Sequence, residues 1–227
     1  MKRNQSGFTL IEIAIVLVII GLLLGGVMKG QELINSAKVK NLAADFKNVS
    51  LYIYSYQDKF HALPGDDNMA ASHVTGATTL AAAATLGNGR IDGMWGSTAA
   101  TDESYIFWQH VRLAGIATGI TDPANVVGYQ QRNTLGGVVG ITNSTDLNNP
   151  IGISTGTAAA NTLPLRGSYI ICSGNILGKF AKQLDIMMDD GATNTGSMQT
   201  ALPNTLPNQP AVPNPDDTTL YTVCYGV

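Results

Sequence analysis

Residues 7–28 read GFTLIEIAIVLVIIGLLLGGVM, and Glu12 is the only charged residue among them. Crossing the hydrocarbon core of a bilayer takes about 20 apolar helical residues, and residues 8–28 reach that length. A carboxylate costs about 2.5 to 3.5 kcal/mol at the centre of such a helix and less toward its end, so it is usually retained for a partner. The sequence therefore predicts a membrane-spanning helix in which Glu12 meets a positive charge.

The segment before the apolar run differs from an ordinary secretory signal. Such a signal has an apolar stretch of about 7 to 15 residues, followed by a cleavage site made of small residues. Here the apolar run is longer, no Ala-x-Ala-like site follows it, and the polar leader ends in Ser6-Gly7. Cleavage after Gly7 would place the new amino group of Phe8 at the membrane interface, where it could pair with the Glu12 carboxylate.

The hexapeptide GFTLIE, residues 7–12, resembles the leader junction of the type IV pilin superfamily, which includes the type II secretion pseudopilins. The resemblance implies a leader peptide over residues 1–7, cleavage by prepilin peptidase between Gly7 and Phe8, and N-methylation of Phe8. It also implies that Glu12 neutralises the amino terminus of a neighbouring subunit during filament assembly. A plain N-terminal membrane anchor is the alternative interpretation of the same segment.

The resemblance implies a structural role rather than an enzymatic one. We expect a subunit of a type IV pilus-like extracellular filament that uses no cofactor. Its partners would be other copies of the chain in a helical filament, prepilin peptidase, the inner-membrane assembly machinery and, before assembly, the membrane itself. A type II secretion pseudopilin is the alternative within the superfamily, and a DNA-uptake or adhesion minor pilin is the alternative from a different class.

Composition and charge agree with an exported chain that is tethered to a bacterial inner membrane. Lys2 and Arg3 precede the apolar run and only Lys29 follows it closely, which favours a cytoplasmic amino terminus and a periplasmic head. The assembled filament would then be extracellular or would span the periplasm. From His61 onward the chain has six Lys and Arg residues and twelve Asp and Glu residues, a formal charge of −6. That balance disfavours non-specific nucleic-acid binding, which draws on clustered Lys and Arg, and we predict no specific nucleic-acid partner.

The chain has two cysteines, Cys172 and Cys224. In the oxidising compartment outside the inner membrane, that count predicts one structural disulfide. A redox-active or metal-binding pair is disfavoured, because there is neither a Cys-x-x-Cys sequence nor a nearby histidine. By the resemblance above, region 172–224 is similar to the cysteine-bounded C-terminal region of type IV pilins, which faces outward on the filament.

Beyond the apolar run, apolar residues recur at spacings of three and four. They are Val39, Leu42, Phe46, Val49, Ile53, Tyr56 and Phe60. This spacing predicts one face of an amphipathic helix. Because no proline occurs before Pro64, we expect one helix over residues 8–62. Its part 8–28 would lie in the membrane or the filament core, and its part 29–62 would form an amphipathic stem.

Glycines recur within the apolar run and just after it. Gly21 with Gly25, and Gly26 with Gly30, form Gly-x-x-x-Gly pairs of the kind that lets transmembrane helices approach closely. The general frequency of glycine in membrane spans explains them as well. Many superfamily members carry a proline about where Lys29 stands, so here a bend would have to come from Gly25-Gly26.

Residues 63–227 are predicted to form one α+β head, a small antiparallel sheet with loop-rich insertions, on which the long helix packs. We expect a loop with one short helix over 69–100, and a helix over 105–114 that is capped by Asp102 or Ser104. Another helix is predicted after Asn175 and before Gly191. The apolar residues on one side of this helix would be Ile176, Phe180, Leu184 and Met187.

Two segments have the β-branched and aromatic composition of strands, residues 168–172 and 220–225. A disulfide between Cys172 and Cys224 would join them directly. Residues 125–162 are rich in Gly, Asn and Thr with short β-branched runs, and predict irregular structure with weak strands. Residues 202–217 contain five prolines and predict an exposed loop rather than a central strand or helix.

Several residues are candidates for catalytic or metal-binding groups. Gly152–Gly156 matches the Gly-x-Ser-x-Gly nucleophile elbow around Ser154, but no histidine follows His110, so the order of a hydrolase triad fails. The other two histidines, His61 and His73, lack metal-ligand spacing. The acidic residues Asp66, Asp67 and Asp92 are candidate calcium ligands, although turn formation and helix capping explain them better. We therefore expect no enzyme activity and no metal site.

Overall fold

The computed structural model describes residues 9–81, 86–145, 150–151, 165–203 and 208–227. The chain divides into two compact units, Met1–Lys38 and Val39–Val227. Helix α1, Leu10–Phe60, belongs to both units and is helical throughout, including at all four glycines of the apolar run and its flank. The predicted long N-terminal helix is therefore confirmed.

In the second unit, the predicted apolar stripe of α1 packs into the main hydrophobic core. Six of its members are buried, and Phe60 is partly buried against the same cluster. The ring of Phe46 meets that of Tyr225 edge to face, with 6.2 Å between the ring centroids. Helix α1 ends where His61 adopts a positive φ of 55°, shortly before Pro64, which cannot continue a helix.

Four antiparallel strands form the sheet of the head. They are β1 (Val139–Asn143), β2 (Tyr169–Leu177), β3 (Met198–Ala201) and β4 (Leu220–Gly226), in the spatial order β1-β2-β4-β3. Cys172 of β2 lies directly opposite Cys224 of β4, and the two form a buried disulfide. The α+β fold class, the two predicted strands and the disulfide are confirmed. Strand β1 lies within the segment predicted to be irregular structure with weak strands, whereas strand β3 was missed by the sequence analysis.

Four shorter helices complete the described head: α2 (Ala70–His73), α3 (Glu103–Leu113), α4 (Val126–Tyr129) and α5 (Gly178–Met188). Asp102 does precede α3, but its side chain makes no capping bond to the helix and instead accepts a hydrogen bond from Ser97 Oγ at 2.7 Å. The expected side-chain cap is therefore wrong for both candidates: Asp102 binds the Ser97 hydroxyl, and Ser104 lies inside α3 and donates to the Met94 carbonyl oxygen at 2.9 Å.

The C-terminal part of the head corrects two further expectations. Ile176 belongs to strand β2 rather than to helix α5, and Met187 of α5 is about half exposed instead of facing the core. The proline-rich stretch forms no helix or strand in its described part, 202–203 and 208–217. It touches the rest of the head through isolated bridges of Gln209 with Ile151 and of Ala211 with Ala201.

Candidate functional site

Glu12 lies in the first turn of α1, where it forms a reciprocal hydrogen-bond pair with Thr9. Its Oε2 accepts hydrogen bonds from Thr9 N at 2.8 Å and from Thr9 Oγ1 at 2.7 Å. In return, Glu12 N donates to Thr9 Oγ1 at 3.4 Å. This is a capping box, in which two unpaired donors at a helix start are satisfied together. The spacing Thr-x-x-Glu carries that signal, but our sequence interpretation considered only a charged partner for Glu12.

The apolar residues that follow Glu12 are exposed along α1. Within the described residues, α1 is the one helix long and apolar enough to cross a membrane, judged by length and composition. At Gly21, Gly25, Gly26 and Gly30, an added Cβ would meet no atom of the described chain within 4 Å. These glycines are therefore not required by packing inside the described chain, and they leave the helix surface open to other molecules.

The predicted cleavage junction, Gly7 and Phe8, lies outside the described residues, as does the Gly152–Gly156 elbow with Ser154. Residues 2–28 match the family described as "Prokaryotic N-terminal methylation motif". The chain carries the prepilin leader of type IV pilins and pseudopilins. That motif marks a structural family rather than an enzyme family. No curated protein and no solved structure matches the chain.

Asp66 of this pilin-like chain is a buried acid that organises a loop. Its carboxylate accepts hydrogen bonds from the backbone N–H groups of Gly87, of Asn88 at 3.2 Å and of Gly89 at 2.7 Å. Burial raises the pKa of Asp66, and these N–H groups act in the opposite direction. Asp66 therefore holds loop 86–90 against the segment that follows α1.

The other two calcium candidates also have protein partners. Asp67 accepts hydrogen bonds from Tyr56, from Met69 N and, through Oδ2, from the His73 ring. Asp92 accepts hydrogen bonds from the side-chain amides of Asn143 and Asn88, at 2.6 Å and 3.0 Å. Within the described parts of the chain, Asp66, Asp67 and Asp92 do not come together as a group that could hold a metal ion. The structure uses these carboxylates to hold loops together.

The three histidines lie in different environments. His110 is fully buried: its Nδ1 accepts from Gly65 N at 3.0 Å, and its Nε2 lies 2.9 Å from the carbonyl oxygen of Thr78. This arrangement assigns the neutral ring with the proton on Nε2. Burial lowers the pKa of His110, which favours the same neutral form. His61 is exposed just after α1, and His73 stacks on Phe60 with 5.5 Å between ring centroids.

One acidic group at the end of α5 was missed. Asp185, Asp189 and Asp190 place carboxylate oxygens within 4.8 Å of one another, and Asp185 is fully buried. Burial, followed by the nearby charges of Asp190 and Asp189, raises the pKa of Asp185 to about 6. The sequence did not predict that Asp185 is buried, because the predicted apolar face of α5 consists of other residues.

Proposed function

We propose that this chain is a structural subunit of a type IV pilus-like extracellular filament, processed by prepilin peptidase and assembled through its N-terminal helix. The observation that carries the proposal is the leader motif at residues 2–28, joined to a helix whose first turn contains Glu12 and whose apolar residues are exposed. The motif is common to pilins and pseudopilins, so the role within that group is part of the proposal.

Glu12 supplies the proposed assembly contact. The capping box with Thr9 keeps its carboxylate at the start of α1, close in sequence to Phe8. Cleavage after Gly7 creates an ammonium group on Phe8. In an apolar surrounding, an isolated carboxylate and an isolated ammonium are both costly, and their pairing reduces that cost. A Phe8 ammonium on one subunit and a Glu12 carboxylate on its neighbour would thus favour one register of packing.

The apolar part of α1 supplies the proposed cohesion. Before assembly its exposed residues would lie in the inner membrane, with Lys2 and Arg3 on the cytoplasmic side. A helix that is apolar all round and leaves the lipid has to be covered by other apolar helices. The four glycines on its surface would let neighbouring helices approach closely.

Mass spectrometry of the mature protein tests the processing step. We expect an amino terminus at N-methylated Phe8 in cells that contain prepilin peptidase, and an intact Met1 when that peptidase is deleted. Cleavage after residue 28, or retention of residues 1–7 in assembled protein, would contradict the proposal.

A pair of variants tests the assembly step. Glu12→Ala is expected to insert into the membrane normally but to appear poorly in sheared surface filaments. Glu32→Ala is the matched control, since Glu32 is an exposed acid on the same helix that pairs with Lys29 at 2.6 Å. Normal filaments from Glu12→Ala would show that the charge pair is dispensable.

The same preparations distinguish the related roles. Surface filaments composed mainly of this chain support a pilus subunit, whereas a secretion defect without such filaments would instead assign a type II secretion pseudopilin. Salt-sensitive DNA binding by the full-length protein would instead assign a DNA-uptake role.

A further inference from the structure

A cavity of about 440 Å³ lies on the face of the sheet that is turned away from the stem part of α1. Alternate residues of β2 define the two faces: Ile171 packs in the cluster that contains the apolar stripe of α1, whereas Cys172 packs in a second cluster with Trp95. Trp95 also lines the cavity, as do residues of the two central strands, β2 and β4. Sites for small ligands have volumes of about 300 to 1,000 Å³, so the cavity can hold a sugar ring.

The cavity is open because β2 has a glycine where a side chain would otherwise project. An added Cβ at Gly174 would lie 3.5 Å from Trp95 Cη2 and 3.8 Å from the Val138 carbonyl oxygen, both ordinary van der Waals distances. Neither strain nor overlap therefore demands a glycine at this position. The absent side chain leaves the space beside the indole ring free for another molecule.

Three polar groups at the cavity have hydrogen-bonding capacity to spare. A bulge in β2 includes Asn175, which lines the cavity with a φ of +61°. Its Nδ2 donates to the Leu135 carbonyl oxygen at 3.1 Å, which leaves Oδ1 as an acceptor. Thr222 of β4 contributes a hydroxyl to the lining. Trp95 Nε1 is a buried donor that has no hydrogen-bond partner within the described part of the chain.

The lining favours an uncharged ligand. None of the described residues at the cavity carries a charge. Phosphate and carboxylate groups are usually bound by Arg or Lys, and an ammonium group needs a carboxylate or an open aromatic face. A wholly apolar ligand is also a poor match, since it would bury the Thr222 hydroxyl and the Asn175 amide without partners.

We propose that the cavity binds one hexose unit of a neutral saccharide. A sugar ring carries C–H groups on its faces and hydroxyl groups around its edge. One face would pack against the apolar side chains of Trp95, Val138 and Pro203. The hydroxyl groups would exchange hydrogen bonds with the side chains of Asn175 and Thr222, which include both donors and acceptors.

The bound saccharide would lie close to the disulfide. Gly174 follows Cys172 on β2, and Thr222 precedes Cys224 on β4, each by two residues. The bridge joins these two strands, so it also fixes the separation of the cavity residues that they carry. The proposal goes beyond the filament role and does not depend on it, because the residues that line the cavity all belong to the head.

Nuclear magnetic resonance of the isotope-labelled, full-length protein tests the proposal. The chain has two tryptophans, so its spectrum contains two indole N–H signals, and Trp108, which packs in the other cluster, is an internal reference. We titrate maltose, lactose and N,N′-diacetylchitobiose to tens of millimolar, in micelles of a detergent without a sugar head group. At least one of these saccharides should shift the Trp95 signal in a saturable manner and leave that of Trp108 unchanged.

Control compounds test the chemistry of the ligand. Sorbitol has the hydroxyl groups of a hexose without its ring, and glucuronate has the ring together with a carboxylate. Both should shift the Trp95 signal less than the saccharide that binds. If hexanol gives a saturable shift and the saccharides do not, the cavity binds apolar molecules and the proposal is wrong.

Two variants localise the binding. Gly174→Val places a branched side chain in the cavity and should weaken saccharide binding by at least about tenfold. Thr222→Val keeps the shape of the side chain but removes the hydroxyl, so it should weaken binding by about threefold to tenfold. Thr200→Val is the matched control, because Thr200 lies opposite Val223 on β3 and is not among the described residues that line the cavity. Its saccharide affinity should equal that of the wild type.

The contrary outcomes are specific. The absence of a Trp95 shift with all three saccharides would overturn the proposal. Unchanged affinity in both Gly174→Val and Thr222→Val would place the binding elsewhere and overturn it as well. If circular dichroism shows that Gly174→Val does not fold, Thr222→Val decides the question alone.

Discussion

The Tyr56 hydroxyl donates a hydrogen bond of 2.8 Å to Asp67 Oδ2 inside the head. Both residues are buried, and the same carboxylate oxygen lies 2.7 Å from His73 Nδ1. The bond joins the last turns of α1 to the segment that follows Pro64. Burial and the Asp67 carboxylate raise the pKa of Tyr56, so its hydroxyl is a protonated donor at neutral pH.

Tyr56→Phe is therefore expected to lower the free energy of unfolding by about 1 to 2 kcal/mol, because a buried carboxylate loses a donor. Urea unfolding of the full-length protein in micelles, followed by far-UV circular dichroism, measures the change. Tyr54→Phe is the control: Tyr54 lies two residues earlier on α1 and is about half exposed, so its hydroxyl can bond to water. Equal losses in the two variants would show that the Tyr56–Asp67 bond adds no net stability.

Asp45 on α1 makes the free energy of unfolding depend on pH. Burial raises its pKa from 3.8 to about 6, and its Oδ2 is buried without a hydrogen-bond partner among the described residues. The folded state thus binds the proton more tightly than the unfolded state does. The stability from this residue is complete below about pH 4 and is lost as the pH rises through about 6.

Asp45→Asn should consequently stabilise the protein at pH 8 by roughly 1 kcal/mol and have little effect at pH 4. The estimate is reduced because the carboxyl is only partly buried. Unfolding curves of the wild type and the variant at both pH values measure this difference. Asp58→Asn replaces an exposed acid on the same helix and should show no such pH-dependent gain. A gain of equal size at pH 4 would refute the charge explanation.

The disulfide between β2 and β4 is expected to stabilise the fold. Cys172 and Cys224 are buried, opposite each other on β2 and β4, and separated by 52 residues in sequence. A bridge that closes a loop of this length stabilises by about 4 kcal/mol in the chain-entropy account, with 2 to 5 kcal/mol usually observed on removal. The double variant Cys172→Ala, Cys224→Ala should lose that amount in urea unfolding.

Reduction provides the control for this experiment. The reduced wild type should approach the double variant in stability, while reductant should leave the double variant unchanged. If the oxidised wild type is no more stable than the double variant, the bridge does not stabilise the fold by reducing the conformational entropy of the unfolded chain.

Local patterns explain which features could be predicted from the sequence. The stripe from Val39 to Phe60 has a period that only a helix satisfies, so α1 could be predicted. The β-branched segments around Cys172 and Cys224 are bounded by turn residues, so β2 and β4 could be predicted as well. Strand β1 is buried at all five positions and contains Gly140, so it has no alternation to detect. Strand β3 has only four residues and is defined by pairing with the distant β4.

The acidic group at the end of α5 could not be predicted from the sequence, for a related physical reason. Helix α5 buries Phe180 and Leu184 as the spacing predicts, but it also buries Asp185 and leaves Ile186 and Met187 exposed. Tertiary packing therefore outweighs the local preference of a charged residue for water. By contrast, the Thr9–Glu12 capping box is purely local and could have been predicted from four residues.

Gly196 offers a test of the Asp189 hydrogen bonds that changes no charge. It has a φ of +73°, and a Cβ there would overlap Asp189 Oδ2. Gly196→Ala should therefore displace the Asp189 carboxylate and lower the free energy of unfolding. Gly136 has a similar φ of +83°, but a Cβ there would meet nothing within 4 Å. Gly136→Ala is thus a control for backbone strain alone, which costs about 1 to 2 kcal/mol.

The difference between these two alanine variants isolates the steric effect on Asp189. In urea unfolding, we expect Gly196→Ala to be less stable than Gly136→Ala by about a further 1 kcal/mol, because the Asp189 bonds to Met198 and Ser197 are disturbed. Equal losses of stability in the two variants would show that these Asp189 bonds add no net stability to the fold.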